Sequence, residues 1–170
     1  MIRLANQDDL PFLREMMFEA AYWDPAQPRP SLEEGLQDPT VASYLEGWVR
    51  PGDSGLIAMD DQSMQPIGAA WYRLFTKDKP GFGFVDEQTP EVAIAVVEEF
   101  RGKHVGSALM NGLRKLAKAQ GHHRLSLAVQ ARNVRARFLH TMMGFREVRH
   151  AGETIVMVAN LDLPAPARMN

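Results

Sequence analysis

A chain of 170 residues encloses one sizeable core and is short for two, so a single domain over 1–163 is expected, with the proline- and alanine-rich 164–170 fraying. Its 45% hydrophobic and 24% charged residues exclude disordered and fibrous classes, and a net charge of −2 gives no support to nucleic acid as a partner. The lack of cysteine removes disulfides, thiolate metal sites and thiol nucleophiles together, and suits a reducing compartment.

The opening MIRLANQDDL carries charge too early for a secretory signal, and no stretch approaches the roughly 20 apolar residues of a spanning helix. A cytoplasmic protein without a membrane partner is expected. Residues 1–4 read as a short strand, and a helix opens near Asp8 and Asp9 with Leu10, Leu13, Met16, Met17, Ala20 and Ala21 on one face. The proline-rich WDPAQPRP stops it. A second helix is predicted behind Asp38 and Pro39, a cap and first-turn pair, with Val41, Leu45 and Trp48 as its buried stripe.

PGDSG at 51–55 is a turn, after which SGLIAMD and PIGAAWYRLF read as paired strands. TKDKPGFGFVDEQTP is a connection long enough to be functional. EVAIAVV reads as a strand buried on both faces. In the next helix Val105, Leu109, Gly112, Leu113 and Leu116 share a face, Arg114, Lys115 and Lys118 lie off it, and Gly121 ends it. RLSLAVQ alternates as a strand, a helix covers 134–142 up to Gly144, and FREVRH with ETIVMVAN closes the chain as an antiparallel pair. The class is α/β, an α+β mixed sheet.

The run VVEEFRGKHVGSAL carries a strand into a helix through a basic, glycine-bearing elbow. Unpaired N–H groups of a first helical turn, the helix dipole and the charges of Arg101 and Lys103 suit a phosphate or diphosphate. Glycine lets an anion approach the backbone; a solvated basic turn would have the same composition. The P-loop spacing GxxxxGK[ST] is absent, and the elbow stands too late and with the wrong spacing for a dinucleotide fingerprint.

From Glu91 to Phe145 the sequence resembles the GNAT superfamily of acyl-CoA-dependent N-acetyltransferases. Arg101 and Gly106 match its elbow [RQ]-x-x-G-x-[GA], with Leu109 following. NVRARFLHTMMGF matches its second signature through Asn133, Ala136, Leu139, Gly144 and Phe145. The resemblance implies about seven strands with a central splay, four helices and acetyl-CoA as cofactor. It implies that the backbone of Ile94, Ala95 and Val96 pairs with the cofactor's pantetheine arm. The backbone of Arg101, Gly102, Lys103, His104, Val105, Gly106 and Ser107 would hold the diphosphate, and Asn133 would bond the arm. An extended amide-bearing ligand adding to a strand edge is physically reasonable.

Two histidines depart from the pattern. His104 stands where the family has the first elbow glycine, and histidine tolerates the left-handed region better than most residues. His140 replaces the tyrosine placed to protonate the departing thiolate; imidazole can do that work, or the ring is a surface group. His122 and His123 read as a solvated turn, His150 is isolated, and no metal site is expected.

Among the groups for the reaction, Val96 N–H is the expected donor to developing negative charge. Glu91 is a candidate base, the alternative being a strand-end carboxylate in water; Glu98 and Glu99 are poorer candidates. The acceptor pocket is expected from Tyr22, Trp23 and Asp24, from Tyr44 and Trp48, and from Phe82 to Glu87, with Asp86 and Glu87 facing an amine cation. The amine, small or on a protein or peptide, would attack directly, since there is no cysteine to carry the acyl group. Against this stand a non-catalytic acyl-CoA-binding module, motivated by the missing tyrosine, and nucleic-acid binding through Arg132, Arg135, Arg137, Arg146 and Arg149, which the net charge disfavours. A homodimer is the commonest assembly open to such a chain.

Overall fold

The computed structural model describes residues 1–167. Its strands are β1 (Ile2–Leu4), β2 (Ser54–Met59), β3 (Pro66–Arg73), β4 (Glu91–Val96), β5 (Arg124–Gln130), β6 (Phe145–Ala151) and β7 (Thr154–Asn160). The helices are α1 (Leu10–Ala21), α2 (Leu32–Gly35), α3 (Pro39–Ser43), α4 (Val105–Ala119) and α5 (Val134–Met142). The strands form one seven-stranded mixed sheet in the order β1-β2-β3-β4-β5-β7-β6. Contacts group the chain into two compact units, 1–73 with 93–113, and 74–92 with 114 onward; the boundaries fall inside β4 and α4. Of the expected tail, 168–170 lie outside the described residues.

Four helices were expected, and five α-helices are found among the described residues. The extra one, α2, is a single turn made by a capping box in which Ser31 accepts from Glu34 N–H and the Glu34 carboxylate accepts from Ser31 N–H. The helix predicted behind Asp38 and Pro39 is α3, capped as expected by the Asp38 carboxylate on Thr40 and Val41. It is only five residues long. The chain then breaks into turns, with Gly47 and Val49 in the left-handed region. The expected stripe of Val41, Leu45 and Trp48 is nevertheless buried.

In the first unit β1 and β3 flank β2 antiparallel. Leu13, Met16 and Met17 of α1, Ile57 of β2, Trp71 of β3 and Leu109 and Leu113 of α4 form its core. A Cβ on Gly112 would lie 2.8 Å from Leu56 Cδ1, so this glycine allows α4 to approach β2 closely. Arg73 is fully buried yet satisfied: it grips Asp53 at 2.6 and 3.0 Å and donates to the carbonyls of Ser43 and Glu46, each at 2.8 Å.

In the second unit β5 runs antiparallel to β7 from Arg124↔Asn160 to Gln130↔Thr154, and β6 pairs with β7. Leu125, Leu127, Phe145, Ile155 and Met157 fill this core. Arg114, expected off the buried face of its helix, is only 6% exposed. Helical periodicity registers a helix's apolar stripe and not what packs beside it.

Candidate active site

The elbow runs from Arg101 to Ser107, and its residues are exposed or half-exposed. Ala108 N–H donates to His104 C=O at 3.0 Å, closing the first helical turn of α4. Ahead of it, the N–H groups from Gly102 to Ser107 have no acceptor among the described residues. Gly102 and His104 are left-handed, at φ 78° and 64°, so histidine occupies the glycine-like conformation of the turn. Arg101 braces the elbow from outside: Nε donates to Val96 C=O at 2.9 Å and Nη2 to Glu19 at 3.1 Å. Lys103 lies 4.9 Å from the Phe100 ring centroid.

β4 is half-open. Its parallel ladder with β5 has the single pair Glu91↔Ser126, with Ser126 N–H donating to Pro90 C=O at 3.0 Å. On the opposite edge Val97 N–H donates to Ile67 C=O of β3 at 2.9 Å. Strand alternation then turns the groups of Ile94 and Val96 away from β3 and those of Ala95 towards it. The Ala95 carbonyl accordingly sits 3.2 Å from the Cβ position of Gly68. The core burial of Glu91 to Ala93 gives way to half-exposure at Ile94 to Val96, where that ladder has no partner residue.

Glu91 is not a strand-end carboxylate in water; it is 2% exposed. Gly83 N–H donates to Oε1 at 3.0 Å, and Gly81 packs so close that a Cβ there would collide with the carboxyl. Gly83 in turn lies on β5, where a Cβ would come within 2.6 Å of the Leu127 backbone. The glycines of the long connection therefore let it seal the carboxyl. Burial pushes the Glu91 pKa up to about 8, against the smaller opposing effect of the Gly83 hydrogen bond.

On α5 the Asn133 side chain caps the helix, its Oδ1 accepting from Ala136 N–H at 3.2 Å. His140 is half-buried with its ring edge-on to Phe145, centroids 6.0 Å apart. Loss of hydration pushes its pKa down to about 4, so the imidazole is neutral near pH 7.

Residues 15–145, which hold the elbow, the half-open strand, Glu91 and α5, match the family model described as Acetyltransferase (GNAT) family. The chain belongs to the GNAT acetyltransferase family. No match was found among curated proteins. Several solved acetyltransferase structures are similar in fold. A ribosomal-protein-alanine N-acetyltransferase from Brucella melitensis is 23% identical, with TM-score 0.66 over 94% of this chain and 99% of that one. PaiA N-acetyltransferase from Thermoplasma acidophilum, solved with coenzyme A, is 16% identical, with TM-score 0.68 over 94% and 99%. A phosphinothricin acetyltransferase from Sinorhizobium meliloti, solved with acetyl-CoA, is 22% identical, with TM-score 0.65 over 94% and 87%.

The expected acceptor residues of this GNAT chain divide between its units. In the first, Tyr22 packs on Phe18 and donates to Gly35 C=O at 3.1 Å, and Asp24 accepts from Ala26 N–H at 2.9 Å. Trp23 is half-buried. Tyr44 is 3% exposed and Trp48 6%, which makes both core residues. In the second, Asp86 is paired with Arg124, and exposed Glu87 accepts from Lys77 N–H at 3.3 Å. Several arginines weighed for nucleic acid are engaged: Arg132 with Glu153, Arg137 with Glu147 and Arg149 with Phe84 C=O. The roles of Gly81 and Gly83 were missed, although GFGF in an otherwise polar connection is the signal that marks them.

Proposed function

We propose that the chain is an acyl-CoA-dependent N-acetyltransferase that moves an acetyl group from acetyl-CoA to a primary amine by direct attack in a ternary complex. The observation that carries this reading is the exposed elbow whose amides from Gly102 to Ser107 have no acceptor among the described residues. Those amides and the N-terminus of α4 suit a diphosphate. Gly106 supports the fit. Its backbone is not left-handed, and a Cβ there would make only an ordinary 3.7 Å contact with Val96 Cγ2. Among the described residues nothing crowds that position, which leaves the bare backbone open to a ligand approaching from outside.

When bound, acetyl-CoA supplies the electrophilic thioester carbon. The Ile94 groups and the Val96 N–H, on the edge without a β5 partner, would receive an amide-bearing arm as a strand receives a neighbour. Ala95, facing β3, contributes through the strand's position. Asn133, with Oδ1 spent on its helix, has its amide N–H groups to donate. Val96 N–H is the donor to negative charge developing on the carbonyl oxygen.

Glu91 accepts the amine proton, relayed by water because Gly81 and Gly83 cover the carboxyl. A pKa near 8 suits that task, since the group is ionised in the range where amines begin to lose their proton. His140, held neutral, donates a hydrogen bond towards the departing sulfur and carries no extra proton to give it. Asp24, Asp86, Glu87 and Trp23 are the groups proposed to meet the cationic acceptor.

The test is thiol release from acetyl-CoA with a panel of a polyamine, an amino acid, an aminoglycoside and a peptide N-terminus. Release that requires one of these amines supports the proposal. Tight coenzyme A binding with no release from any amine replaces it with a non-catalytic binding module.

A further inference from the structure

We infer that the second unit carries a separate binding site for a small organic anion, a carboxylate with an apolar body, in the cavity between α5, β6 and the chain after β7. The cavity measures about 310 Å³, at the lower end of the volumes that hold small ligands. No residue of the elbow, and neither Glu91, Asn133 nor His140, lines it.

Its defining group is Arg114. The side chain is 6% exposed, and Nη1 is buried without a hydrogen-bond partner among the described residues. A guanidinium nitrogen withdrawn from water and left unpaired is unfavourable, and an anion would offset that cost. Arg114 lines the cavity, and Nη1 lies just behind its wall at Gly144, where a Cβ would stand 3.4 Å from that nitrogen and 3.1 Å from Pro166 Cδ. Burial also lowers the Arg114 pKa, with no carboxylate acting against it.

The remaining lining specifies the ligand. Arg146, exposed on β6, brings a second guanidinium that has no ion-pair partner among the described residues. Asn160 accepts from Asp162 N–H with Oδ1 at 2.9 Å, which leaves its amide N–H groups to donate. Among the described residues, no aspartate or glutamate lines the cavity. Phe145 and Leu163 supply apolar wall. Guanidinium and amide donors beside carbon wall match a carboxylate on an apolar group, whereas inorganic phosphate would leave the carbon wall unused.

The experiment titrates 4-fluorobenzoate, 4-fluorobenzyl alcohol and inorganic phosphate into the full chain, read by 19F and 1H–15N NMR. The expected result is saturable binding of the benzoate that moves the amides of Gly144, Phe145 and Arg146, with no binding of the alcohol. Arg114→Gln and Arg146→Gln should each weaken it about tenfold or more, the loss of a charge-assisted hydrogen bond. Arg114→Gln should also keep or raise the melting temperature, because it removes a buried unpaired charge. The exposed Arg146→Gln does not threaten the fold and serves alone if Arg114→Gln fails to fold. Absence of saturable benzoate binding, equal affinity in the Arg146 variant, equal binding of the alcohol, or phosphate binding without benzoate would each overturn the inference.

Discussion

Replacing Glu91 by glutamine should make the protein more stable in alkaline buffer and less active. Burial beneath Gly81 and Gly83 lifts the carboxyl from 4.5 to about 8. The folded chain therefore holds this proton more tightly than the unfolded chain. Stability from this source is greatest below pH 4.5 and is lost as the pH rises to 8. At about 1.4 kcal/mol per pH unit, the loss approaches roughly 5 kcal/mol. Glutamine keeps an oxygen for Gly83 N–H and cannot ionise. Wild type and Glu91→Gln should melt together near pH 5 and diverge to about 10–15 °C by pH 8.5, taking some 3 °C per kcal/mol for a chain of this size. Paired melts in the same buffers cancel the titration of His140. Turnover should fall about 10²–10⁴-fold, as expected for loss of a general base. Stability curves that stay parallel from pH 5 to 9 would refute the buried carboxyl, and undiminished turnover would refute the base.

Gly106→Ala should leave the melting temperature unchanged or raised, since alanine favours helix by about 1 kcal/mol, while acetyl-CoA affinity by calorimetry drops about tenfold or more. His104→Gly should retain acetyl-CoA binding and relieve up to about 1 kcal/mol of left-handed strain, measured by urea denaturation; lost binding would show that the ring is essential. His140→Phe should lower turnover with the acetyl-CoA KM unchanged. His140 is depressed from 6.5 to about 4, so the stability it contributes is present above pH 6.5 and lost as the pH falls to 4. The phenylalanine variant should lack that acid-side loss in melts between pH 4 and 7.

Much of the fold was legible because its patterns are local. The α5 signature and its stop at Gly144 follow from capping and a left-handed turn. The strand-to-helix elbow could be read from its glycines and basic residues, and His104 takes the left-handed conformation on which the turn depends. What stayed hidden depends on segments distant in sequence. Glu91 became a buried acid only because a connection eight residues upstream folds back over it. Arg114 lies off the apolar stripe of its helix, and its burial depends on distant segments such as the turn at Gly144. Tyr44, read as pocket, is core because short helices end in turns that tuck its ring inward.

The convergence on Arg73 has a consequence for how such chains diversify. Gly47, Val49 and Gly52 all sit at positive φ, and for a β-branched valine that conformation is costly. A single guanidinium from β3, holding Ser43, Glu46 and Asp53 at once, keeps the segment in this shape. Transplanting 43–53 into a relative without the matching arginine would carry over the letters but not the contour. Lysine could not stand in for it, because one ammonium cannot span a carboxylate and two carbonyls in that plane. The segment and its distant anchor are inherited as a pair.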